Sequence, residues 1–311
     1  MELFAFYNVE NLFLPDPPQI HKLDPTISGL RNWDDRKYRT KLSKISHVFR
    51  LMKEENGVLP AIIGLCEISG KKVLEDLVQL DPFSSQYGIV HYNSLDERKV
   101  DVALLYDKSK VEILDSEAIT FFFEIVDNSP DNYDTTRDVL FAKLKCKGEL
   151  MNVFVAHLPS KREKDINQPK RNFIMNEIRN RILNIIKDNE HVILCGDFNQ
   201  NPDDENIINI LYDDSQQRIM HNPFQRLFSS KKYSTFHYKS GFLFDQIMLS
   251  DSFFEAGAAL YFQEAKVFNP ESITTRNRGF EGRPFRTYAG TRYLGGFSDH
   301  FPVFVTFKEI N

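Results

Sequence analysis

The chain has 311 residues, 41% hydrophobic and 27% charged, the make-up of a globular protein with a full core, and no apolar run approaches the roughly 18 residues of a membrane span. Three cysteines, an odd number set among apolar residues, argue against a disulfide framework and against a Cys-rich zinc site. A net charge of −5 argues against sequence-blind duplex binding, yet basic residues crowd Arg137 to Arg181 and recur at Arg276, Arg278, Arg283, Arg286 and Arg292. A local basic surface on an acidic protein suits a compact anionic substrate.

The first residues, Glu2–Tyr7, read as a strand rather than a signal peptide, so a cytoplasmic location is expected. Arg36–Glu55 places Tyr38, Leu42, Ile45, Val48 or Phe49, and Met52 on one face and stops at Gly57, which predicts a helix. Ala61–Cys66 is a near-continuous apolar strand, followed by a short helix over Lys71–Leu80 and strands at Tyr87–Tyr92 and Val100–Tyr106. The stretch Val100–Lys145 looks like consecutive strands, implying antiparallel pairs in a mixed sheet. Strands follow at Val139–Lys145 and Asn152–Ala156, a helix at Phe173–Lys187, a strand at His191–Cys195 and a short helix at Asp204–Tyr212. Asp245–Leu249 and Pro302–Lys308 complete the strands, and Leu14–Asn32 and Asn269–Gly296 read as long loops. One domain over residues 1–311, with two packed sheets flanked by helices, is the economical arrangement, and a monomer is expected.

The chemistry gathers where strands end. Asn8 and Glu10 follow the first strand, and Glu67 ends the apolar run Ala61–Cys66, at the kind of sheet edge where α/β folds place ligands. Val192-Ile193-Leu194-Cys195-Gly196-Asp197-Phe198-Asn199 delivers an acid and an amide two residues apart, a pair able to deprotonate and orient a water. An Asx turn is the ordinary alternative for that pair, as a turn or a helix cap is for the others. His157 and Asp245 stand at the ends of two more strands, and Ser298-Asp299-His300 precedes the last. Together these make a hard, oxygen-rich ligand set that favours Mg²⁺, Mn²⁺ or Ca²⁺ over zinc.

In this order the motifs resemble the endonuclease/exonuclease/phosphatase superfamily of DNase-I-like enzymes. They are Asn8-x-Glu10, Gly64-Leu65-Cys66-Glu67, Asp101-Val102-Ala103-Leu104-Leu105-Tyr106, His157-Leu158-Pro159-Ser160, Gly196-Asp197-Phe198-Asn199, Asp245-Gln246-Ile247 and Ser298-Asp299-His300. The fuller wording around Phe6–Phe13 and Gly295–Val303 is similar to a bacterial branch. The resemblance implies a four-layer α/β sandwich, two mixed β-sheets face to face with helices outside, and Mg²⁺-dependent hydrolysis of a phosphoester. It implies Glu67 as principal metal ligand with Asn8 and Asp299, Asp197 as the group that positions and deprotonates water, and Asn199 as a holder of water or phosphate. His300 would bond a non-bridging oxygen, Asp245 would orient a histidine, expected to be His157, and His157 would contact the phosphate or help the leaving group. Arg137, Lys161 and Arg286 are the expected substrate contacts.

Two departures bear on the substrate pocket. Lys99 stands where the family tends to have Gly, and His157 is followed by Leu-Pro-Ser-Lys where an aromatic and an Arg are more usual. A nuclease or related phosphodiesterase is the leading expectation, with nucleic acid as partner. A sugar- or inositol-phosphate phosphatase is the alternative, and a catalytically silent phosphate-binding module would require losses at metal or water positions, which are not seen. The loop Thr274–Gly296 sets Arg beside aromatics, a combination that binds phosphate and stacks bases, or covers the edge of the fold.

Overall fold

The computed structural model describes residues 1–18, 26, 28–96, 98–124, 133–161, 165–188 and 190–309. Two six-stranded sheets organise it. In chain order their strands are β1 (Glu2–Leu12), β2 (Ile62–Ile68), β3 (Tyr87–His91), β4 (Asp101–Asp107), β5 (Val111–Ile119) and β6 (Val139–Cys146). The remainder are β7 (Glu149–His157), β8 (His191–Asp197), β9 (Met220–His221), β10 (Asp245–Ser250), β11 (Leu260–Val267) and β12 (Val303–Glu309). The first sheet has the order β11-β12-β1-β2-β4-β3 and the second β9-β10-β8-β7-β6-β5. Both are mixed: β1 is parallel to β2 and β7 to β8, and the other neighbours are antiparallel.

Alternation along β7 and β8 explains why their sequences are apolar throughout. Val153, Val155, Ile193 and Cys195 face the first sheet, while Phe154, Ala156, Val192 and Leu194 pack with Ile174, Met175, Ile178 and Ile182 of the helix Gln168–Ile185. On the other side of the molecule, the helix Asp35–Asn56 lays Tyr38, Leu42, Ile45, Val48, Phe49 and Met52 onto the first sheet. It starts where the Asp34 side chain accepts the Lys37 amide and stops at Gly57, whose left-handed backbone donates to the Lys53 carbonyl. Helix, sheet, sheet, helix is the four-layer α/β sandwich. Between the sheets a methyl group on Gly64 would stand 2.9 Å from Cys195 Sγ, so this glycine lets the sheets close together directly behind the strand ends.

The Val100–Lys145 run is divided between the sheets. β4 belongs to the first, and β5 and β6 pair antiparallel in the second. β11 escapes a sequence reading because it is an edge strand whose Gln263 and Glu264 lie exposed, leaving no apolar run. Asn269–Gly296 is largely irregular, with a two-residue ladder between Tyr288–Ala289 and Arg292–Tyr293. Among the described residues no helix is long and apolar enough to cross a membrane. The three cysteines are buried.

Candidate active site

The topology sends the strand-end residues to one end of the sandwich in two facing rows. In the first sheet, parallel β1 and β2 carry Asn8 and Glu67 there, while β12 and β4, antiparallel to them, begin behind Asp299–His300 and Arg98. Across that sheet the order is therefore His300, Asn8, Glu67, Arg98. In the second sheet β8 and β7 end at Asp197 and His157, and antiparallel β10 and β6 begin at Asp245 and behind Arg137. The matching row is Asp245, Asp197, His157, Arg137.

Bulges aim the first row inward. The β2 ladders shift register between Cys66 and Ile68, where Glu67 has φ 64°, and β1 shifts after Asn8, where Glu10 and Asn11 have φ 49° and 59°. Asn199 (φ 52°) and Lys99 (φ 53°) are left-handed as well. Such non-glycine residues cost on the order of 1–3 kcal/mol each and collect where function requires the geometry. The left-handed backbone at Lys99 is one that glycine adopts without strain.

The rows meet side chain to side chain. Asn8 Nδ2 donates to Asp197 Oδ2 at 3.0 Å and to Glu67 Oε1 at 3.2 Å, and Asn8 Oδ1 accepts the Glu10 amide at 3.0 Å. Glu67 Oε2 accepts the Asn11 amide at 2.9 Å. Asp197 Oδ1 accepts the Asn199 amide at 3.0 Å, and the imidazoles of His157 and His300 stand 3.8 and 3.9 Å from Asp197 Oδ2. His300 Nδ1 lies 2.7 Å from Asp245 Oδ2, which also accepts from Ser234 Oγ at 2.5 Å. Asp299 Oδ2 accepts from Arg286 at 2.8 Å.

These contacts correct one expectation and add detail to two others. Asp245 orients His300, not His157: β8 separates β10 from β7, so Asp197 stands between Asp245 and His157 while His300 faces Asp245 from the other sheet. Asn8 turns its amide nitrogen to two carboxylates and so bridges Glu67 and Asp197 across the two rows. The Asn199 amide nitrogen donates one hydrogen bond to the Leu158 carbonyl at 2.9 Å, tying the end of β8 to the end of β7, and the Asp197–Asn199 Asx turn is present, which leaves its second N–H and its oxygen for other partners.

Burial sets the charges. It pushes the Asp197 carboxyl up to about 6, with Asp245 adding to the shift while His300 and Asn8 oppose it. Burial alone would lower His300, but the carboxylates of Asp245 and Asp197 outweigh it and hold the imidazolium well above the ordinary range. His157 stands 3.8 Å from Asp197 without the short carboxylate hydrogen bond that His300 makes to Asp245, and burial, then the charges of Arg137, His300 and Arg98, push it well down and keep it neutral. Asp299 is held low because His300 and Arg286 overcome its burial. Cys66 lies among His157 and Asp197, and burial keeps its thiol protonated.

Two buried groups, Lys41 outside the motifs and Glu10 within Asn8-x-Glu10, support the first row. Lys41, on the helix Asp35–Asn56, donates from Nζ to Thr287 Oγ1 at 2.5 Å and to the Phe297 carbonyl at 2.6 Å; burial lowers it to about 8, opposed by Glu10. Glu10 accepts the Thr287 and Tyr288 amides at 2.6 and 3.1 Å and is raised to about 7, by burial and then by Asp299. Together they fasten the segment between Arg286 and Asp299. Lys41 was detectable in principle, since it shares the helical stripe of Tyr38, Leu42 and Ile45. On the second sheet, fully buried Arg171 plays a similar part, donating to the Pro159 carbonyl at 3.0 Å and to Asp165.

A cleft opens at each end of the rows. Beyond Asp299 and Arg286 lies a cavity of about 420 Å³ walled by Phe236, Tyr238, Phe280, Arg283 and Phe285. Beyond His157 lies one of about 230 Å³ lined by Arg98, Arg137, Lys170 and Ser160. Arg137 is 9% exposed and its buried Nε lacks a hydrogen-bond partner, as does that of Arg286. Lys161 is not brought to the centre; it pairs with Asp204 at 2.9 Å beside a polar hollow between the helix Gln168–Ile185 and the short helix Glu205–Asn209.

Two facing sheets with a carboxylate–imidazole centre across one end define a hydrolase of the DNase-I-like type. The family model described as Endonuclease/Exonuclease/phosphatase family matches residues 3–309, and the chain belongs to that family. It is thus a metal-dependent enzyme that hydrolyses phosphoester bonds. A comparison with curated proteins finds no match. Among solved structures, D. rerio TDP2 complexed with single-strand DNA product is 18% identical, with a TM-score of 0.60, covering 99% of this chain and 98% of that one. Bacteroides thetaiotaomicron mannosyl-6-phosphatase Bt3783 is 16% identical with a TM-score of 0.60, covering 99% and 100%. The human Nocturnin catalytic domain with bound sulfate anion is 16% identical with a TM-score of 0.59, covering 99% and 93%. At these identities the likeness is one of fold.

Proposed function

We propose that the protein is a Mg²⁺-dependent phosphodiesterase of the nuclease type. The observation that carries this reading is the pair of clefts, one at each end of the facing rows. A diester continues on both sides of the scissile phosphorus, whereas a monoester needs room on one side only. Arginines line both clefts and suit flanking phosphates.

The donors fit a hard divalent cation. Glu67 and Asp299 offer carboxylate oxygens, and Asp197, pushed up first by burial and also by Asp245, is a carboxylate that a nearby cation would help to keep ionised. Bound there, Mg²⁺, with Mn²⁺ or Ca²⁺ as the chemically similar alternatives, supplies charge neutralisation at the phosphoryl oxygens. Asp197 accepts a proton from the attacking water as the new P–O bond forms in line with the bond that breaks. His300, kept cationic by Asp245, donates a hydrogen bond to a non-bridging oxygen as charge develops there. Neutral His157 contacts the phosphate, and the leaving oxygen takes its proton from solvent.

A panel of single-stranded DNA, RNA, plasmid DNA, bis(p-nitrophenyl) phosphate, inositol phosphates and sugar phosphates, assayed with Mg²⁺, Mn²⁺ or EDTA, tests the proposal. EDTA-sensitive cleavage of the diesters, absent in Asp197→Asn, is expected. Turnover confined to inositol or sugar monoesters would replace this reading with the phosphatase alternative.

A further inference from the structure

Resting on the phosphodiesterase reading, we propose that the cleft beside Arg286 is a nucleobase pocket, which stacks the base next to the phosphate held at the catalytic centre. Its position is fixed by the centre itself. The hairpin Thr235–His237/Ser240–Phe242 is joined to the segment before β12, with Thr235 Oγ1 donating to the Asp299 carbonyl at 2.9 Å and the Phe301 amide to the Ser234 carbonyl at 2.7 Å. That same hairpin presents Phe236 and leads into Tyr238 on the cleft wall. Ser234, at its root, holds Asp245. A ring in the cleft is therefore indexed to His300 and Asp299 through a handful of bonds.

The wall itself is preformed. The Arg283 guanidinium lies 5.2 Å from the Phe236 ring centre and 4.9 Å from that of Phe280, a cation–π sandwich, and it also donates to the Tyr238 carbonyl. One arginine thus clamps the 274–296 segment to the hairpin. Yet the aromatic surface is not used up: Tyr238 is 81% and Phe280 52% exposed, a notable outlay of large rings on a folded surface. The floor is fastened by Glu10 and Lys41 as described.

The lining chooses the ligand class. Exposed rings beside arginines present a flat face to another planar ring, while Asn277 and Thr275 bring hydrogen-bonding groups to its edge. An acyl chain would meet two guanidiniums and the Asp299 carboxylate, whose desolvation it could not repay. A nucleobase satisfies both surfaces and arrives covalently linked to the phosphate.

Isothermal titration calorimetry in Mg²⁺, comparing thymidine 5′-monophosphate with 2-deoxyribose 5-phosphate, reads the contribution of the base. The nucleotide should bind roughly ten- to a hundredfold more tightly, the range expected of base–aromatic stacking. A Tyr238→Ala/Phe280→Ala variant should lose that preference and keep its affinity for the sugar phosphate, and Phe280→Tyr should retain the preference. Both rings are exposed, and an unchanged thermal melt would show that the variants fold. Equal affinity for the two ligands, or a preference that survives in the double variant, overturns the proposal. Hydrolysis of bis(p-nitrophenyl) phosphate by the unaltered protein separates the two readings: preference without hydrolysis removes the phosphodiesterase, and hydrolysis without preference removes the pocket.

Discussion

The catalytic centre and the aromatic cleft touch at the Asp299–Arg286 ion pair, yet they are held in different ways. The centre is made of side chains issuing from strands, and its geometry is fixed by two ladders and by bulges at Glu67 and after Asn8. The cleft is made of a hairpin and an irregular segment outside both sheets, tied back by Glu10, Lys41, Ser234 and the Arg283 stack. Chemistry that tolerates little displacement sits on the rigid frame, and recognition sits on segments free to vary. Substitutions in the centre should therefore change kcat, and substitutions in the cleft should change KM.

The sharpest test of that division is Asp197→Asn. It preserves shape but removes the proton acceptor, so kcat should fall by about 10³-fold, within the range for general-base removal. Measured kcat near the unaltered value would show that another group activates the water. Asp245→Asn comes next: His300 loses its carboxylate, and kcat should drop by about 10–100-fold, as for other groups that orient a functional side chain, with KM little changed. Steady-state kinetics on one diester distinguishes the two parameters. Arg286→Ala should act the opposite way, raising KM by about tenfold through the loss of a charged contact worth ~1.5–3 kcal/mol. A comparable loss in kcat alone would place Arg286 with the centre. Gly64→Ala tests the frame: crowding the sheets against Cys195 should cost ~1–3 kcal/mol in denaturant unfolding. Lys161→Ala should change activity by less than about twofold, because its partner Asp204 forms only a partly exposed ion pair away from the rows.

Which residues line the centre was legible because each of Glu67, His157, Asp197 and Asp245 adjoins an apolar strand, and strand ends converge when strands pack in register. How they pair was not. The Asp245–His300 contact joins residues 55 apart in sequence and on different sheets, and depends on strand order, which periodicity does not encode. Lys41 and Arg171 were hidden for another reason: a charged residue on a helix reads as solvent-facing until burial is known, although both lie on apolar stripes. Ser234 carried no local signal at all.

Local pattern and ordered motifs were enough for the alternation of strands and helices, the helix stop at Gly57 and the family. Tertiary structure alone decided that Asn8 bridges two carboxylates, that His300 is the charged imidazole and His157 the neutral one, and that both ends of the rows stay open. Those properties come from distances between chain segments far apart in sequence, and from the low dielectric their packing creates, where the nearest carboxylate decides which group holds a proton.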